Sequence, residues 1–544
     1  MQSGQQFENP TIKPTNHIIA MSTQSTQTTR ALFSVSDKTG LAKFAEELGL
    51  FGIQILSTGG TAKELRKAGI PVTDVSEYTG APELFDGRLK TLHPKVHGGL
   101  LQRRRNKKDI EEAAANNIPQ IDFVVVNLYP FEQTVAKPDT TFDDAIENID
   151  IGGPSMLRSA AKNFADVTVV IDPADYPRVI GCMRENDGKT TLALRRELAL
   201  KVFERTSRYD AAILTYLESQ DTDNASVMPS TLRLCLPKAQ DLRYGENPHQ
   251  KSALYGDFWK YYSQHGGKEL SYTNILDIAS ASTLIDDLGD DSIAILKHTT
   301  PCGVAIDGTS PVEAWNLAFA TDKDSPFGGV IVLPWKTEVD TDLVDVLKDI
   351  FVEIVIASSF TPGALAALQR RKNLRIIQRT GIPPFDLDLK SIPGGMLVQE
   401  RDVLREAWSD FKVVTKRLPT EEEKFAMMFA WKVVKNAKSN AMVYAKYQGG
   451  TYRTLCIGAG QTSRVDASKI AIWKSEQADL SLVGSVLASE AFIPFADGAE
   501  AAFKAGATAI IQTGGSIRDK EVIAAADAAG AAMVMTGYRH FRHG

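Results

Sequence analysis

The chain has 544 residues, of which 43% are hydrophobic and 24% are charged, and its formal net charge is -6. This length exceeds what one hydrophobic core supports, so about two to four domains are expected. The negative charge argues against a nucleic-acid-binding protein, no stretch reaches the ~20 apolar residues of a membrane span, and the four dispersed cysteines exclude a disulfide framework.

The first thirty residues are rich in Ser, Thr, Gln and Asn and lack the apolar core of a signal peptide. We interpret residues 1–30 as a disordered tail and expect a cytoplasmic protein. Met21 is an alternative start. An organelle transit peptide is a further alternative, although Lys13 and Arg30 are the only basic residues in this segment.

Apolar runs alternate with amphipathic stretches over residues 31–225, which predicts an α/β domain with a doubly wound parallel sheet. The runs are 31–35, 53–56, 71–75, 123–127 and 167–171. A long helical pattern at 190–217 and a polar segment at 220–230 follow, so we place a domain boundary near residue 225. The alternation continues through 226–544, whose length predicts two α/β subdomains, divided near residue 410 and possible products of an old duplication.

Small and hydroxyl-bearing residues follow the first two predicted strands, at 34–40 and 57–61, and each loop opens into a helical pattern. Backbone N–H groups beside glycines, hydroxyl donors and a helix start together suit a phosphate group. For either loop alone, an N-capped turn between strand and helix is the alternative. The predicted phosphate ligands are Ser34, Ser36, Lys38, Thr58, Gly59, Gly60 and Thr61.

Residues 87–99 combine cationic side chains with glycines, which suits an anionic substrate, with a solvated basic loop as the alternative. His93 and His97 stand four positions apart and could bind a metal if they shared a helix. Pro94 and the paired glycines predict a loop instead, and no third ligand is evident, so no metal site is predicted.

The apolar run 293–296 ends in Lys297 and His298, and we interpret the following Pro301 and Gly303 as a turn. Ligands of α/β proteins bind at the carboxyl ends of strands. An imidazole beside an ammonium group at such a place predicts proton-transfer chemistry. The alternative is a capped strand end with a structural histidine.

A series of sequence blocks in fixed order carries a family resemblance: SDKTG, STGGT, GRLKTLHPKVHGG, NLYPF, DIGG and AAKN, then LRYGENPHQ, LKHTTPCG, DSPFGG, SNAMVYA, IGAGQTSRVDA, SEAFIPF and YRHFRH. From about residue 31 to the C-terminus the chain resembles the bifunctional purine-biosynthesis family that joins AICAR formyltransferase to IMP cyclohydrolase. The resemblance implies a methylglyoxal-synthase-like first domain and a second domain of two cytidine-deaminase-like subdomains. It also implies a homodimer with formyltransferase sites at the interface. Thr300 departs from the Asn of many members, and Ala305 stands where the deaminase zinc signature has a cysteine, which argues against metal-assisted hydrolysis.

The activities implied by the resemblance are two consecutive steps. A formyl group passes from 10-formyltetrahydrofolate to the 5-amino group of 5-aminoimidazole-4-carboxamide ribonucleotide (AICAR), and formyl-AICAR then loses water to give inosine monophosphate (IMP). The implied catalytic residues are Lys297, His298 and Asn440 for transfer, and Lys90, Tyr129, Asp150 and Lys162 for ring closure. The implied binding residues are Arg88 and Thr91 in the first domain, Arg243, Tyr244, His249 and Arg539 on the nucleotide, and Phe492 and Phe495 on the folate.

Two other functions are compatible with parts of the sequence. A nucleotide-sensing regulatory module would explain the phosphate loops but leaves the Lys297–His298 pair without a purpose. A phosphate-eliminating lyase in the first domain would need a carboxylate base beside the phosphate loops.

Overall fold

The computed structural model describes residues 28–220, 228–384 and 387–543, and the chain divides into two compact units between Cys235 and Leu236. The predicted boundary near residue 225, and the predicted tail up to residue 27, lie outside the described residues. Within the described ranges, every helix is too short or too polar to cross a membrane.

The first unit contains a five-stranded parallel sheet. Its strands are β1 (Arg30–Val35), β2 (Gln54–Ser57), β3 (Val72–Asp74), β4 (Phe123–Asn127) and β5 (Thr168–Val170). The sheet order is β3-β2-β1-β4-β5, with every neighbouring pair parallel. The chain therefore reverses its direction of travel across the sheet between β1 and β4, which is the switch point where doubly wound sheets bind ligands. The predicted fold class is confirmed.

Ten helices accompany this sheet in the described part of the unit: α1 (Leu41–Leu50), α2 (Gly59–Lys67), α3 (Val75–Thr79), α4 (Pro94–Leu101), α5 (Lys107–Ala115), α6 (Phe131–Val135), α7 (Phe142–Glu147), α8 (Gly152–Lys162), α9 (Tyr176–Glu185) and α10 (Leu192–Gln220). Packing divides the larger helices into two groups, α1 with α2 and α9, and α8 with α4 and α10. Buried side chains of both groups join those of the strands in one core.

His93 and His97 were predicted to lie in a loop, but His93 caps a helix and His97 lies within it, so the prediction is wrong. Pro94 is the first residue of α4, where its missing N–H costs no hydrogen bond, and the His93 ring caps the helix by accepting from the Lys95 N–H at 3.1 Å. Nδ1 of His97 lies 2.9 Å from Oγ of Ser159, and burial lowers the pKa of His97. Among the described residues, no three His, Cys, Asp or Glu side chains are grouped to hold a metal.

The second unit is built on a mixed twelve-stranded sheet with two small hairpins. Its strands are β6 (Lys238–Leu242), β7 (Ser252–Tyr255), β8 (Tyr262–Gly266), β9 (Ser292–Lys297), β10 (Thr300–Asp307), β11 (Gly329–Val332), β12 (Val352–Ala357), β13 (Arg375–Arg379), β14 (Leu387–Ile392), β15 (Gly395–Glu400), β16 (Lys412–Val413), β17 (Met442–Gln448), β18 (Thr451–Gly458), β19 (Ser485–Ser489), β20 (Ala507–Gln512) and β21 (Ala532–Met535). Its helices are α11 (Phe258–Tyr261), α12 (Tyr272–Leu288), α13 (Pro311–Ala320), α14 (Thr341–Val346), α15 (Pro362–Gln369), α16 (Glu421–Lys435), α17 (Arg464–Gln477), α18 (Ala496–Ala505) and α19 (Asp519–Ala528).

The order of elements repeats within this unit. The series β8-α12-β9-β10-α13-β11-α14-β12-α15-β13 has the same pattern as β16-α16-β17-β18-α17-β19-α18-β20-α19-β21. The sheet order, β16-β21-β20-β19-β17-β18-β10-β9-β11-β12-β13-β8, reads equivalently from both ends, and antiparallel β10 and β18 join the halves. A Cβ on Gly303 of β10 would collide with the carbonyl oxygen of Ala318, and one on Gly458 of β18 with that of Ala467. Each half therefore uses a glycine to bring a helix onto the equivalent strand.

The predicted turn at Pro301 and Gly303 is wrong, because both residues belong to β10. Antiparallel β9 and β10 form a hairpin in which Lys297 pairs with Thr300, so His298 and Thr299 alone make the turn. Their φ angles are 52° and 63°, as a type I′ turn requires. A bulge between Pro301 and Gly303 accommodates the proline within the strand.

Candidate active sites

A cavity of about 600 Å³ opens in the first unit at the carboxyl ends of β1, β2 and β4. Its wall contains Ser34, Ser36, Lys38, Thr58, Gly59, Gly60, Thr61, Arg88, Lys90, Thr91, Tyr129 and Asp150. These are the first-domain residues predicted from the sequence, except Lys162. The cavity lies at the switch point between β1 and β4, where strand ends diverge and leave room for a ligand.

The two hydroxyl-rich loops form one side of this cavity. Helix α2 begins at Gly59 directly after β2, so its N-terminal N–H groups face the space beyond the strand. Nζ of Lys38 lies 3.0 Å from Oγ1 of Thr61, and burial lowers the pKa of Lys38. Thr61 in turn donates to the Val35 carbonyl at 3.1 Å. The loops thus bring a cation, hydroxyls and a helix start together, which is the chemistry of a phosphate site.

Asn127 holds the first loop in place, and it was not among the predicted site residues. Its Oδ1 accepts the backbone N–H groups of Ser36 at 2.6 Å and Asp37 at 2.9 Å. Its Nδ2 donates to the Asp37 carbonyl at 3.1 Å. Asn127 ends β4 and lines the cavity. A polar side chain at the end of an otherwise buried central strand was the available sequence signal.

Asp150 is the half-buried carboxyl group of the cavity wall, where Asp86 and Glu147 are exposed. It accepts the Gly153 N–H at 2.8 Å, at the start of α8, and a Cβ on Gly153 would collide with the carboxylate. Burial raises the pKa of Asp150, although hydrogen bonds from the Gly153 and Tyr129 backbones oppose the shift. The hydroxyl of Tyr209 accepts the Asp150 N–H at 2.7 Å. A fixed carboxyl group with a raised pKa is suited to proton transfer.

Two cations lie on the loop before α4, each with an acidic partner. Nζ of Lys90 is 3.3 Å from Oε2 of Glu83, and the Arg88 guanidinium pairs with Glu147. The Arg88 and Glu147 side chains are 67% and 61% exposed, so their attraction is largely screened. An anionic ligand can therefore replace Glu147 as the partner of Arg88 at little cost.

The structure does not bring Lys162 to this cavity. Lys162 is the exposed last residue of α8, whereas Gly152 at the start of the same helix lines the cavity. Ten residue steps along a helix separate the two backbones by about 15 Å. The short sequence interval between DIGG and AAKN therefore did not indicate spatial proximity.

A second cavity, of about 250 Å³, surrounds the β9–β10 turn in the second unit. Its polar wall consists of Lys297, His298, Thr300, Cys302, Ser325, Gln461 and Lys474. Nζ of Lys297 donates to the Phe327 carbonyl at 2.9 Å, which directs the ammonium group along the cavity edge. Burial raises the pKa of the Cys302 thiol to about 12, so this group is a neutral part of the wall.

Strand register places Asn440 at the same edge of the large sheet as the second cavity. Thr300 starts β10, opposite the end of β18, and Met442 of β17 pairs with both Gly458 and Ser489. Asn440 precedes β17, and its Nδ2 donates to the carbonyl of Gln461, a residue of the second cavity, at 2.8 Å. Asn440 thus lies behind the cavity wall, in direct contact with Gln461 of that wall.

The C-terminal segment returns across this edge. Strand β21 lies six positions from β9 in the sheet, about 29 Å at ordinary strand spacing. After β21 the backbone N–H of Gly537 donates to Thr513, that of His540 to Glu490, and that of Ser439 donates to Arg542. The segment therefore crosses the ends of β20 and β19 and reaches the start of β17. This path carries Arg539 toward Asn440.

The remaining predicted residues lie outside the wall of the second cavity. Arg243, Tyr244 and His249 belong to the loop of the β6–β7 hairpin, where the Arg243 guanidinium stacks 4.6 Å from the Tyr244 ring centroid. Phe492 and Phe495 follow β19 and are 37% and 47% exposed, so they are not packed core aromatics. The catalytic roles of Lys297, His298 and Asn440 therefore stay predictions, as do the ligand contacts predicted for six other residues: Arg243, Tyr244, His249, Phe492, Phe495 and Arg539.

Comparisons with known proteins identify the family of the chain. Residues 160–474 match the family model described as AICARFT/IMPCHase bienzyme, and residues 40–155 match the MGS-like domain. The bifunctional purine biosynthesis protein PurH of Chlorobium chlorochromatii is 54% identical over 525 residues, covering 94% of this chain and 99% of its own. PurH of Chloroflexus aurantiacus is 54% identical over 521 residues, covering 94% and 98%. A solved structure named ForH is 36% identical, with 35% of this chain and 99% of its own covered, at a TM-score of 0.32. The chain belongs to the AICARFT/IMPCHase bienzyme family of purine biosynthesis.

Proposed function

We propose that each unit performs one of the two activities of this family. The second unit transfers the formyl group of 10-formyltetrahydrofolate to AICAR, and the first closes the ring of formyl-AICAR to give IMP. The observation that carries this division is the cavity of the first unit, whose wall contains the predicted phosphate ligands together with Lys90, Tyr129 and Asp150, three of the four predicted ring-closure residues.

In formyl transfer, a bond forms between the amine nitrogen of AICAR and the formyl carbon, and the bond from that carbon to the folate nitrogen breaks. The amine must lose a proton as it attacks, and His298 is the base in our proposal. Lys297 stabilises the oxyanion of the tetrahedral intermediate or protonates the leaving nitrogen, with Asn440 as polar partner. Such a base contributes about 10²–10⁴-fold, and an oxyanion donor roughly 10²–10³-fold.

In ring closure, the carboxamide nitrogen attacks the formyl carbon of the same molecule, and water leaves. The reaction is intramolecular, so holding both groups in reactive geometry removes much of the barrier. The hydroxyl-rich loops hold the phosphate, Asp150 exchanges the proton of the nitrogen, and Lys90 and Tyr129 stabilise charge on the oxygen. The raised pKa of Asp150 supports its role in proton transfer.

Two assays on the purified protein test this division. AICAR with 10-formyltetrahydrofolate should give folate release and IMP formation, whereas formyl-AICAR alone should give IMP. Under the proposal, substitutions at the second cavity slow only the first assay, and substitutions at the first cavity slow IMP formation in both. Equal loss of both activities from a folded His298 variant would contradict the division.

The alternative functions are tested in the same preparation. A nucleotide-sensing module would bind AICAR without turnover, and it leaves the Lys297–His298 cavity unexplained. Because Asp150 supplies a carboxyl group beside the phosphate loops, phosphate elimination is tested directly with dihydroxyacetone phosphate. We expect no methylglyoxal from it.

We further propose that the protein works in the cytoplasm as a homodimer, with formyltransferase sites at the interface, and that neither step uses a catalytic metal. The family resemblance supports the dimer. The side chains named above supply the proton transfers and charge stabilisation that a metal would otherwise provide. Light scattering should give twice the chain mass, and both rates should survive dialysis against EDTA.

A further inference from the structure

The turn that presents His298 has an unfavourable backbone for its residues. Both His298 and Thr299 have positive φ, at 52° and 63°. Type I′ turns favour Asn and Gly at these positions, because most side chains collide with the backbone there, and β-branched Thr is among the least suited. The fold must therefore supply a contact that keeps the turn in this conformation.

Asp277 of α12 makes such a contact. Its Oδ1 accepts the backbone N–H of Thr299 at 2.7 Å, across 22 residues of sequence. Burial raises the pKa of Asp277, while the Thr299 hydrogen bond and the charges of His298 and Lys438 oppose this shift. The Asp277 carboxylate is thus partly removed from water where it binds the turn. It also lies close enough to the His298 imidazole for the two charges to interact.

Helix α12 also connects this turn with the C-terminal segment. Ser280 lies one helical turn after Asp277, and its Oγ accepts from Nη2 of Arg542 at 2.9 Å. The same guanidinium donates to Asn436 at the end of α16. Helix α12 also packs on β9. The β9–β10 turn and the segment that carries Arg539 are therefore both held by the same helix.

We infer that Asp277 is a positioning residue for formyl transfer: its carboxylate fixes the Thr299 N–H and thereby the direction in which His298 points into the second cavity. This inference rests on the proposed role of His298. Asp277 acts through the turn and touches neither substrate nor the reacting atoms in this account.

Three variants separate this role from a general structural one. Asp277→Ala removes the acceptor and should lower kcat for formyl transfer by about 10–100-fold with KM nearly unchanged, the scale expected for a displaced catalytic group. Asp277→Asn keeps an amide oxygen for the Thr299 N–H and should recover most of the rate. In the double variant Asp277→Ala/Thr299→Gly, glycine accepts positive φ without strain, so about 5-fold or more of the loss should return. Cyclisation of formyl-AICAR in the other unit reports intact protein.

Asp291→Ala is the matched control, because it removes a carboxylate that pairs with Lys336 at the surface, away from the turn. It should leave formyl transfer unchanged. The inference is overturned if Asp277→Ala keeps the wild-type kcat, or if Asp277→Asn and the glycine double variant are both as slow as Asp277→Ala.

Amide hydrogen exchange at Thr299 gives a readout that does not depend on turnover. Exchange should quicken in Asp277→Ala and stay slow in Asp277→Asn. If the variants show this pattern but the wild-type protein transfers no formyl group, the proposed function fails while the role of Asp277 in the turn stands. Unchanged exchange in Asp277→Ala refutes that role directly.

Discussion

Raising the pH from 7 to 9 should destabilise the second unit through one buried histidine. The ring of His540 is 1% exposed, with Nδ1 2.5 Å from Oδ2 of Asp402 and Nε2 2.6 Å from Oε1 of Glu406. Burial lowers its pKa, but hydrogen bonds and charge from the two carboxylates outweigh this and raise the pKa of His540 from 6.5 to about 9. The imidazolium therefore joins the C-terminal segment to the chain between β15 and β16.

The sign of the effect follows from the direction of the shift. A pKa raised in the folded state contributes stability that is complete below 6.5 and disappears as the pH rises through about 9. A difference of this size corresponds to about 3 kcal/mol in full. Asp402 is 45% exposed, so solvent screens part of its attraction, and we expect a loss of about 1–2 kcal/mol between pH 7 and 9. The pKa values of Asp402 and Glu406 are lowered in the folded state. Their contribution to stability is therefore complete above the pKa values of the unfolded chain and is lost as the pH falls.

Urea unfolding of the wild type and of His540→Gln at both pH values measures this loss. Unfolding is followed by tryptophan fluorescence, to which Trp431 contributes with its ring 5.2 Å from that of His540. The neutral amide should remove most of the pH dependence. His265→Gln is the control, since that ring contacts the neutral amide of Gln378 at 2.8 Å. Equal pH dependence in the wild type and His540→Gln would refute the reasoning.

Four further outcomes are expected. His298→Ala should reduce formyl transfer by about 10²-fold or more and spare ring closure, measured on separate substrates. Asp150→Asn should slow IMP formation from formyl-AICAR by about 10²-fold and let that intermediate accumulate from AICAR, followed by chromatography. Lys162→Ala should leave the cyclisation rate of formyl-AICAR unchanged, because Lys162 lies at the far end of α8 from the cavity; accumulation of formyl-AICAR would instead support the role that the family resemblance implies. Replacing both His298 and Thr299 by glycine should relieve about 2–4 kcal/mol of backbone strain and cost about 1–2 kcal/mol in unfolded-chain entropy. The unfolding free energy should therefore rise by about 1–2 kcal/mol while formyl transfer is lost, as thermal unfolding and the first assay will show.

The strands of the first unit could be predicted from sequence because parallel strands are buried on both faces and appear as continuous apolar runs. Strand β10 could not, since Pro301 and Gly303 are ordinary turn residues. The bulge that admits the proline and the close approach of α13 that requires the glycine are both tertiary features. Pro94 misled in the opposite sense, because proline begins a helix as readily as it ends one.

The phosphate loops were predictable because a switch point gathers the residues that directly follow neighbouring strands. Lys162 shows where that argument stops: distance along a helix removes a residue from a site that the helix start belongs to. Asp277 shows a second limit. Its functional contact is with a backbone N–H on the β9–β10 turn, and nothing in the sequence around either residue signals the pairing.

The repeat within the second unit gives an internal comparison for the His298–Thr299 turn. The turn equivalent to His298–Thr299 joins β17 to β18 and consists of Gly449 and Gly450, with φ of 61° and 93°. The same backbone turn is therefore made twice, once with the residues that adopt it freely and once with residues for which it costs about 1–2 kcal/mol each. The β10–β18 register puts the two turns at opposite edges of the sheet, and the strained one adjoins the cavity. Since glycine satisfies the fold at the equivalent turn, the fold alone does not account for His298 and Thr299 here, which supports the proposed role of His298 in that cavity.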